Sequence, residues 1–226
     1  MKLTGSSAHA YLGIYDEDDI KTTGTTDPDT LYFILSMAKR ENPADIGLLK
    51  GFSAGTFIKS PASGTQIDLK EGDRWAKIDK KRLSKTSADF SMEQGAVDVG
   101  DDLDPGAHIL DGIVNISGSI SGLFRYDEVS GNFDDVTEDI INRFLPVVKD
   151  NEKGVYERHA RDDSRAFLLI LLNSKVKDGQ NENWLFVPVV FSSLNLPLAN
   201  TDAQTRELSW SKGEGEAVLY RVEKKA

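Results

Sequence analysis

The segment Ala107–Asp127 (AHILDGIVNISGSISGLFRYD) constrains the fold of this chain most, because its polarity changes with a period of two. Apolar and polar residues are interspersed along Ile109, Asp111, Ile113 and Asn115 and along Val114 and Ile116, and we interpret this pattern as a β-strand. Gly118 and Gly122 interrupt the pattern, and the chain can resume an extended path after each of them. A polar turn follows, after which the period becomes helical. We expect the preceding segments to lead into this strand and the following ones to cover it.

Short apolar or alternating runs recur on both sides of this strand. Ala166–Asn173 (AFLLILLN) shows no alternation, which predicts a strand covered on both faces, and Trp184–Phe191 (WLFVPVVF) is its expected partner. Further runs of strand type are Ala8–Ile14, Leu31–Ala38, Leu48–Ile58, Arg206–Ser211 and Glu216–Val222. Many short strands with one helix predict a mainly β fold. The predicted fold is an antiparallel β-sandwich or barrel with one flanking α-helix and a long protruding loop. We expect it to form a single domain over residues 1–226.

One helix is predicted within residues 134–148. Asp134 or Asp135 suits the N-cap, and Glu138 in the first turn suits the helix dipole. Apolar residues on one side of this helix form its predicted packing face, namely Ile140, Ile141, Phe144 and Leu145. Because a proline inside a helix removes a hydrogen bond, Pro146 predicts that the helix runs from about Val136 to Leu145.

Polar stretches without a clear period predict loops. Residues 1–28 are predicted to form an N-terminal arm that contains the first strand. Asp79–Gly95 has no clean period, so residues of about 80–95 are predicted to form a long protruding loop or hairpin. Lys39–Asp45 (KRENPAD) carries Pro43 and predicts a turn.

Composition and charge exclude several classes of protein. The chain has 27 Lys and Arg against 37 Asp and Glu, a net charge of −10, which disfavours a protein that grips nucleic acid through its phosphates. The absence of cysteine excludes disulfides, thiol nucleophiles and cysteine-ligated zinc. The N-terminus lacks the apolar segment of a secretory signal, and the longest apolar run, Ala166–Leu172, is too short to span a bilayer. We therefore expect a protein made in the cytoplasm, with no membrane insertion.

Residue types that could carry chemistry are present without a catalytic pattern. His9, His108 and His159 are far apart, and acidic neighbours in sequence do not make a triad, whose members converge in space. A cluster of carboxylates lies just before Pro105 and comprises Asp98, Asp101, Asp102 and Asp104. Such a cluster would suit a hard cation, but it lacks the spacing of an EF-hand. Three tryptophans serve either as stacking platforms for a sugar or as core residues, and we favour the core: Trp75, Trp184 and Trp210. We predict no enzymatic activity, no cofactor and no metal site.

Five segments of the second half follow one another in a recognisable order. They are DGIVNISGSISGLFRYD, the helical DDVTEDIINRFL, the strand pair AFLLILLN and WLFVPVVF, and SSLNLPLANTDAQTRELSWSKGEGEAVLYRV. In the last segment a strand ends at Phe191–Ser193, a polar loop carries Asp202 and Gln204, and a final strand follows Gly215–Ala217. Over Ala107–Val222 this pattern resembles the major tail tube proteins of tailed bacteriophages. Pro146 and Pro188 depart from the family pattern.

The resemblance implies a sandwich of two antiparallel sheets with a helix at its side. It also implies hexameric rings whose inner sheets join around a channel, and which stack through a long loop and terminal arms into a tube for DNA passage. The partners would be copies of the same chain, tail-tip or initiator proteins and terminator proteins, in a virion tail assembled in the host bacterial cytoplasm. The lumen-facing candidates are Asp98, Asp101, Asp102 and Asp104. The candidates for contact between stacked rings are Lys80, Lys81, Arg82 and Lys85.

Three other interpretations remain open at this stage. The same tube fold serves in tailocins and in type VI secretion tubes, and the sequence does not separate these machines. A monomeric carbohydrate-binding sandwich would use Trp75, Trp184 or Trp210 as a stacking platform. A hydrolase would use His159 or His108 with nearby acids, although no substrate class suggests itself.

Overall fold

The structure is a computed structural model that describes residues 9–83, 87–98, 109–123, 135–146, 148–150, 156–158, 165–173, 176–177, 179–195 and 205–223. For residues 94–98, 109–114, 123, 135, 149–150, 156–158, 205 and 223 it describes the backbone alone. The described chain is mainly β, with antiparallel sheets and two α-helices. The predicted class, a mainly β antiparallel sandwich or barrel, is confirmed.

The strands are numbered in chain order. They are β1 (His9–Ile14), β2 (Ile20–Lys21), β3 (Gly24–Thr25), β4 (Leu31–Ser36), β5 (Phe57–Lys59), β6 (Asp68–Leu69), β7 (Arg74–Lys77), β8 (Asp79–Arg82), β9 (Ser87–Asp98), β10 (Ile109–Leu123), β11 (Val148–Asp150), β12 (Tyr156–Arg158), β13 (Ala166–Leu171), β14 (Asn181–Asn195), β15 (Thr205–Lys212) and β16 (Val218–Glu223). The helices are α1 (Pro43–Leu48) and α2 (Asp135–Asn142), with a 3-10 turn at Glu17–Asp19. The chain divides into two compact units. The first comprises Met1–Ser84, Arg125–Val189 and Gly213–Ala226, and the second comprises Lys85–Phe124 and Val190–Lys212.

The first unit contains a two-layer sandwich. One layer has the strand order β8-β1-β13-β14, with β16 paired to β14, and the other has the order β2-β7-β4-β5. All six residues of β13 are buried, as its continuous apolar sequence predicted. Aromatic rings fill the space between the layers, with Phe167 of β13 lying 4.8 Å from Phe33 and 5.2 Å from Phe57 between ring centroids. The predicted pairing of β13 with β14 is confirmed, with Leu168 opposite Val187.

Helix α2 lies beside the layer β8-β1-β13-β14, on the face that is turned away from the aromatic core. Lys81 of β8 points away from the aromatic core, and its Nζ lies 2.6 Å from Oδ2 of Asp139 on α2. On the predicted packing face, Ile140 is buried, but Leu145 is 61% exposed. Ile141 and Phe144 are half-buried. The prediction for Leu145 was wrong because α2 ends at Asn142, so that Leu145 lies beyond the last helical turn.

A second helix is present that the sequence analysis did not predict. Residues expected to form a turn contain the start of α1, whose Pro43 occupies the first helical turn. The side chain of Asn42 caps this helix by accepting a hydrogen bond from the backbone N–H of Ala44 at 3.0 Å. With six residues, α1 is too short to show a helical period.

The second unit contains the long strand that the sequence analysis placed at its centre. β10 spans 15 residues and pairs antiparallel with β9 on one side and β15 on the other. The loop predicted for about residues 80–95 was wrong for most of its length, since this range contains β8 and most of β9; the hairpin alternative holds for β9, which pairs antiparallel with the next strand, β10. An alternation was present, with Ala88, Phe90 and Met92 between polar residues, but alanine and methionine made it weak.

Candidate functional site

The sheet of the second unit has one face formed almost entirely by serines and acidic residues. In the register of this sheet, Ser119 of β10 lies between Asp89 of β9 and Ser209 of β15. Because side chains alternate along each strand, the residues two positions away share that face. The polar face, as we define it here, comprises Ser87, Asp89, Ser91, Glu93, Asn115, Ser117, Ser119, Ser121, Glu207, Ser209 and Ser211. It carries three carboxylates, and none of its residues is Lys or Arg.

The polar face is open to solvent. Asp89, Glu93 and Glu207 are all exposed, and Ser119 and Ser209 at the middle of the sheet are partly exposed. The hydroxyl of Ser119 donates a hydrogen bond to Oδ1 of Asp89 at 2.6 Å, which links β10 to β9 across this face. A surface of short hydroxyl groups and exposed carboxylates, with no Lys or Arg among its own residues, repels phosphates.

The opposite face of the same sheet is apolar and largely buried. Ile116 and Ile120 of β10 and Leu208 and Trp210 of β15 are each at most 5% exposed. Arg206, also on this side, is buried as well, so its charge does not reach the polar face. The sheet is therefore two-sided, with the serines and carboxylates named above on one side and Ile116, Ile120, Leu208 and Trp210 on the other.

The predicted lumen acids lie near this sheet in sequence but do not define its polar face. Asp98 is the last residue of β9 and pairs with Ile109, and its side chain is not described. Asp101, Asp102 and Asp104 lie outside the described residues. The acids that the structure brings together are Asp89, Glu93 and Glu207, which the sequence analysis missed. The alternation of β9 would have found the first two, whereas Glu207 joins them only through strand pairing.

The predicted ring-contact residues make contacts within the first unit. Lys80 places its Nζ 5.8 Å from the centre of the Trp184 ring, while Lys81 pairs with Asp139. Arg82 Nη2 lies 3.4 Å from Nδ1 of His9. These three residues belong to β8 rather than to a protruding loop, and Lys85 lies outside the described residues. Their role between rings stays a prediction.

Two of the three tryptophans have no surface to offer a sugar. Trp75 is fully buried and Trp210 is 2% exposed. Trp184 is half-buried and borders a small pocket of about 90 Å³ in the first unit. In this pocket the indole N–H donates to Oε2 of Glu182 at 3.1 Å, and Tyr220 stacks near Phe186 with 5.8 Å between ring centroids. A sugar-stacking function would therefore depend on Trp184.

The histidines do not form a catalytic group in the part of the chain that the structure describes. His9 belongs to β1, and His108 and His159 fall outside the described residues. Within the described ranges, no group of three or more His, Asp or Glu side chains is arranged to hold a metal ion. No described helix is long and apolar enough to cross a membrane.

Comparison of the chain with protein-family models, with curated proteins and with solved structures gave no match. The resemblance to tail tube proteins therefore stays a prediction from the residues quoted above. The two-sided sheet of the second unit is the feature of the molecule that bears most directly on function.

Proposed function

We propose that this protein is a structural subunit of the tail tube of a phage or phage-like particle. Copies of it would assemble into stacked hexameric rings with a negatively charged lumen through which DNA passes. The observation that carries the proposal is the polar face of the second unit, which combines serines with Asp89, Glu93 and Glu207 and contains no cation. The protein would have no enzymatic activity and would need no cofactor.

The physical requirement of a DNA conduit is weak binding. A protein holds DNA when Lys and Arg displace the counterions that surround the phosphates. The polar face cannot do this, since its charged residues are all carboxylates. Repeated around a ring, the same face would form a continuous negative wall, and short serine side chains would leave the wall smooth. DNA would then slide through without being gripped.

The buried reverse face supports the same function. The apolar face is packed through the buried side chains of Ile116, Ile120 and Leu208. This packing fixes the strands that carry the polar side chains on the opposite face. The other partners would be initiator and terminator proteins at the two ends of the tube, within the virion tail. DNA would be a passing cargo and not a specific ligand.

Negative-stain electron microscopy of the purified protein, with light scattering for mass, tests the assembly. Rings with six-fold symmetry or hollow tubes are the expected result. A protein that stays monomeric at every concentration, and also in the presence of the particle's initiator proteins, would contradict the proposal.

The charge of the lumen is tested separately by charge reversal. A variant with Asp89→Lys, Glu93→Lys and Glu207→Lys should still form tubes, and these tubes should retain short duplex DNA at low salt. The matched control reverses three exposed acids of the first unit, Glu17→Lys, Asp18→Lys and Glu71→Lys, and so has the same net charge. Equal retention of DNA by the two variants would show that the polar face does not line the channel.

A carbohydrate-binding module remains the second candidate, and the pocket beside Trp184 is the observation that favours it. Because Trp75 and Trp210 are buried, a change in tryptophan fluorescence on adding a sugar would report on Trp184. A monomer whose fluorescence responds to a sugar, with the response lost in Trp184→Ala, would favour this candidate over the tube.

A further inference from the structure

A pocket of the first unit has walls of apolar and aromatic side chains. It has a volume of about 90 Å³ and is partly open to solvent, and we call it the Trp184 pocket. Its apolar lining comprises Leu31, Trp184, Phe186, Tyr220 and Val222. The rings of Phe186 and Tyr220 are stacked, with 5.8 Å between their centroids, and the Trp184 ring lies 6.1 Å from that of Phe186. Since pockets for drug-sized ligands measure about 300–1,000 Å³, this one admits only a small ring or a branched aliphatic group.

Two lysines and one glutamate line the same pocket. Lys80 is exposed, and its Nζ lies over the Trp184 ring, 5.8 Å from the ring centre. Nζ of Lys59 lies 2.6 Å from Oδ1 of Asp29, whose side chain is 62% exposed. Oε2 of Glu182 accepts the indole N–H of Trp184 at 3.1 Å. The lining residues therefore carry two positive charges and one negative charge, and the negative charge is engaged by the indole.

One carboxylate of the chain already lies beside these lysines. The hydrogen bond from Lys59 holds the pKa of the Asp29 carboxyl below its usual range, against the opposing effect of burial. The charges of Lys59 and Lys80 add to this lowering. Both lysines therefore favour the charged form of a carboxylate, which is the property that a site for an organic acid requires.

We propose that the Trp184 pocket binds a small organic carboxylate that has an apolar body. The ring or branched end of the ligand lies on Trp184, Phe186 and Tyr220, and its carboxylate accepts hydrogen bonds from Lys59 and Lys80. Hydrogen bonds between charged groups are about twice as strong as those between neutral ones, so the charge selects the ligand. The site lies in the first unit and is independent of the tube function, which depends on the polar face of the second unit.

Lys80 distinguishes this ligand from a neutral sugar. A sugar stacks on the face of an indole ring, but at Trp184 a lysine ammonium lies over the ring. Displacing this cation would lose the cation–π interaction, whereas a carboxylate pairs with Lys80 and leaves it in place. An amine would be repelled by both lysines and could pair only with Glu182, whose carboxylate already accepts the indole N–H.

Titration of the full chain with sodium benzoate tests the proposal. Trp184 is the reporter, through its indole N–H signal in NMR spectra, because Trp75 and Trp210 are buried. The signal should shift with a Kd of about 1–10 mM, as expected for a ligand of this size. Benzyl alcohol and benzylamine carry a neutral and a positive group on the same ring. At equal ionic strength both should bind at least about fivefold more weakly than benzoate.

Two substitutions should change the affinity for benzoate in opposite directions. Lys80→Met removes the ammonium group over the indole ring and should weaken binding about five- to tenfold. Asp29→Asn removes the carboxylate that competes for Lys59 and should strengthen binding about two- to fivefold. The matched controls are Lys50→Met, at an exposed lysine outside the pocket lining, and Asp68→Asn, at an exposed acid with a lysine partner of its own. Neither control should change the affinity.

Three results would overturn the proposal. The first is no response of Trp184 at benzoate concentrations well above the expected Kd. The second is binding of benzylamine, benzyl alcohol or glucose as tight as that of benzoate, and tight binding of glucose would favour the carbohydrate candidate instead. The third is equal weakening by Lys80→Met and Asp29→Asn, which would reflect disturbed packing and not charge. None of these results bears on ring or tube formation, so the site and the proposed function fail separately.

Discussion

Gly118 of β10 lies directly against the indole ring of Trp210 in the neighbouring strand β15. A Cβ atom at position 118 would lie 2.9 Å from Cζ2 of Trp210 and 2.2 Å from the backbone oxygen of Asp89. Both distances are shorter than ordinary van der Waals contact, so no other residue fits without a shift of the backbone. This glycine allows Trp210 to pack on the apolar face, behind the serines and acids of the polar face.

Gly118→Ala should therefore destabilise the second unit. Overpacking at a site closed by backbone atoms costs about 1–3 kcal/mol, which denaturant unfolding followed by tryptophan fluorescence would measure. Gly47→Ala is the matched control, since nothing lies within 4 Å of a Cβ at that position of α1. There alanine should stabilise the chain by up to about 1 kcal/mol through its helix propensity. Equal effects of the two substitutions would contradict this account of Gly118.

Asp73→Asn should be the most destabilising single polar change in the first unit. The Asp73 side chain is fully buried, and its Oδ2 lies 2.6 Å from Nη2 of Arg40, whose side chain is 4% exposed. Its carboxylate also accepts the backbone N–H groups of Ala38 and Lys70, each at 2.7 Å. Nε and Nη1 of Arg40 have no hydrogen-bond partner in the described chain, so the substitution would leave a buried cation uncompensated. The expected loss is about 3–5 kcal/mol.

The control for Asp73 is an ion pair of the same type at the surface. Asp68 and Lys70 lie 2.5 Å apart, with side chains that are 57% and 45% exposed. Asp68→Asn should change the free energy of unfolding by at most about 1 kcal/mol. Chemical unfolding of both variants at neutral pH decides the matter. If Asp73→Asn lowers the free energy of unfolding no more than Asp68→Asn does, the buried pair of Asp73 and Arg40 contributes no more to stability than a surface pair.

Stability should fall at high pH because of Tyr32. Burial, with the Asp27 carboxylate nearby, raises the pKa of Tyr32 to about 12. The unfolded chain loses this proton near pH 10, so between about pH 10 and 12 the folded chain holds more protons, and the free energy of unfolding falls as pH rises. Tyr32→Phe should flatten this fall, which urea unfolding at several pH values would measure. If the free energy of unfolding falls equally with pH in the variant and in the native chain, the role of Tyr32 in this fall is contradicted.

The stability of Tyr32→Phe at pH 7 is the control for the high-pH prediction. The Tyr32 hydroxyl accepts the backbone N–H of Asp27 at 2.9 Å and lies 3.2 Å from Oδ2 of the same residue, to which it donates. Losing these hydrogen bonds should cost about 1 kcal/mol at pH 7. The variant should thus be less stable than the native chain at pH 7 and less sensitive to pH above 10.

Ile140→Ala and Leu145→Ala should differ sharply, although both residues belong to the predicted helix face. Ile140 is 1% exposed, and its truncation should cost about 2–5 kcal/mol by leaving a cavity. Leu145 is 61% exposed, so its truncation should change stability by at most about 0.5 kcal/mol. Thermal unfolding of the two variants measures the difference, and equal losses would show that α2 extends to Leu145 in solution.

Elements with a strong local pattern were predicted well. β10 follows from its alternation, and β13 with its partner β14 follows from two continuous apolar runs. The burial of β13 on both faces was also predicted, because a strand whose residues are all apolar has no polar face to expose to solvent. Prediction failed where the local pattern was weak, as in β9 with its alanines and in the short helix α1.

Residue types and their local spacing were enough to predict the fold class, the central strand, the acidic balance of the chain and the absence of cysteine chemistry. All of these depend on residue types and their spacing along a single stretch of chain. The folded chain alone shows that Glu207 shares a face with Asp89 and Glu93, and that Trp75 and Trp210 are enclosed while Trp184 is not. It also decided which strands lie at the edge of a sheet. The physical reason is that strand order and register arise from contacts between distant segments, and a pattern within one segment carries no information about its neighbour.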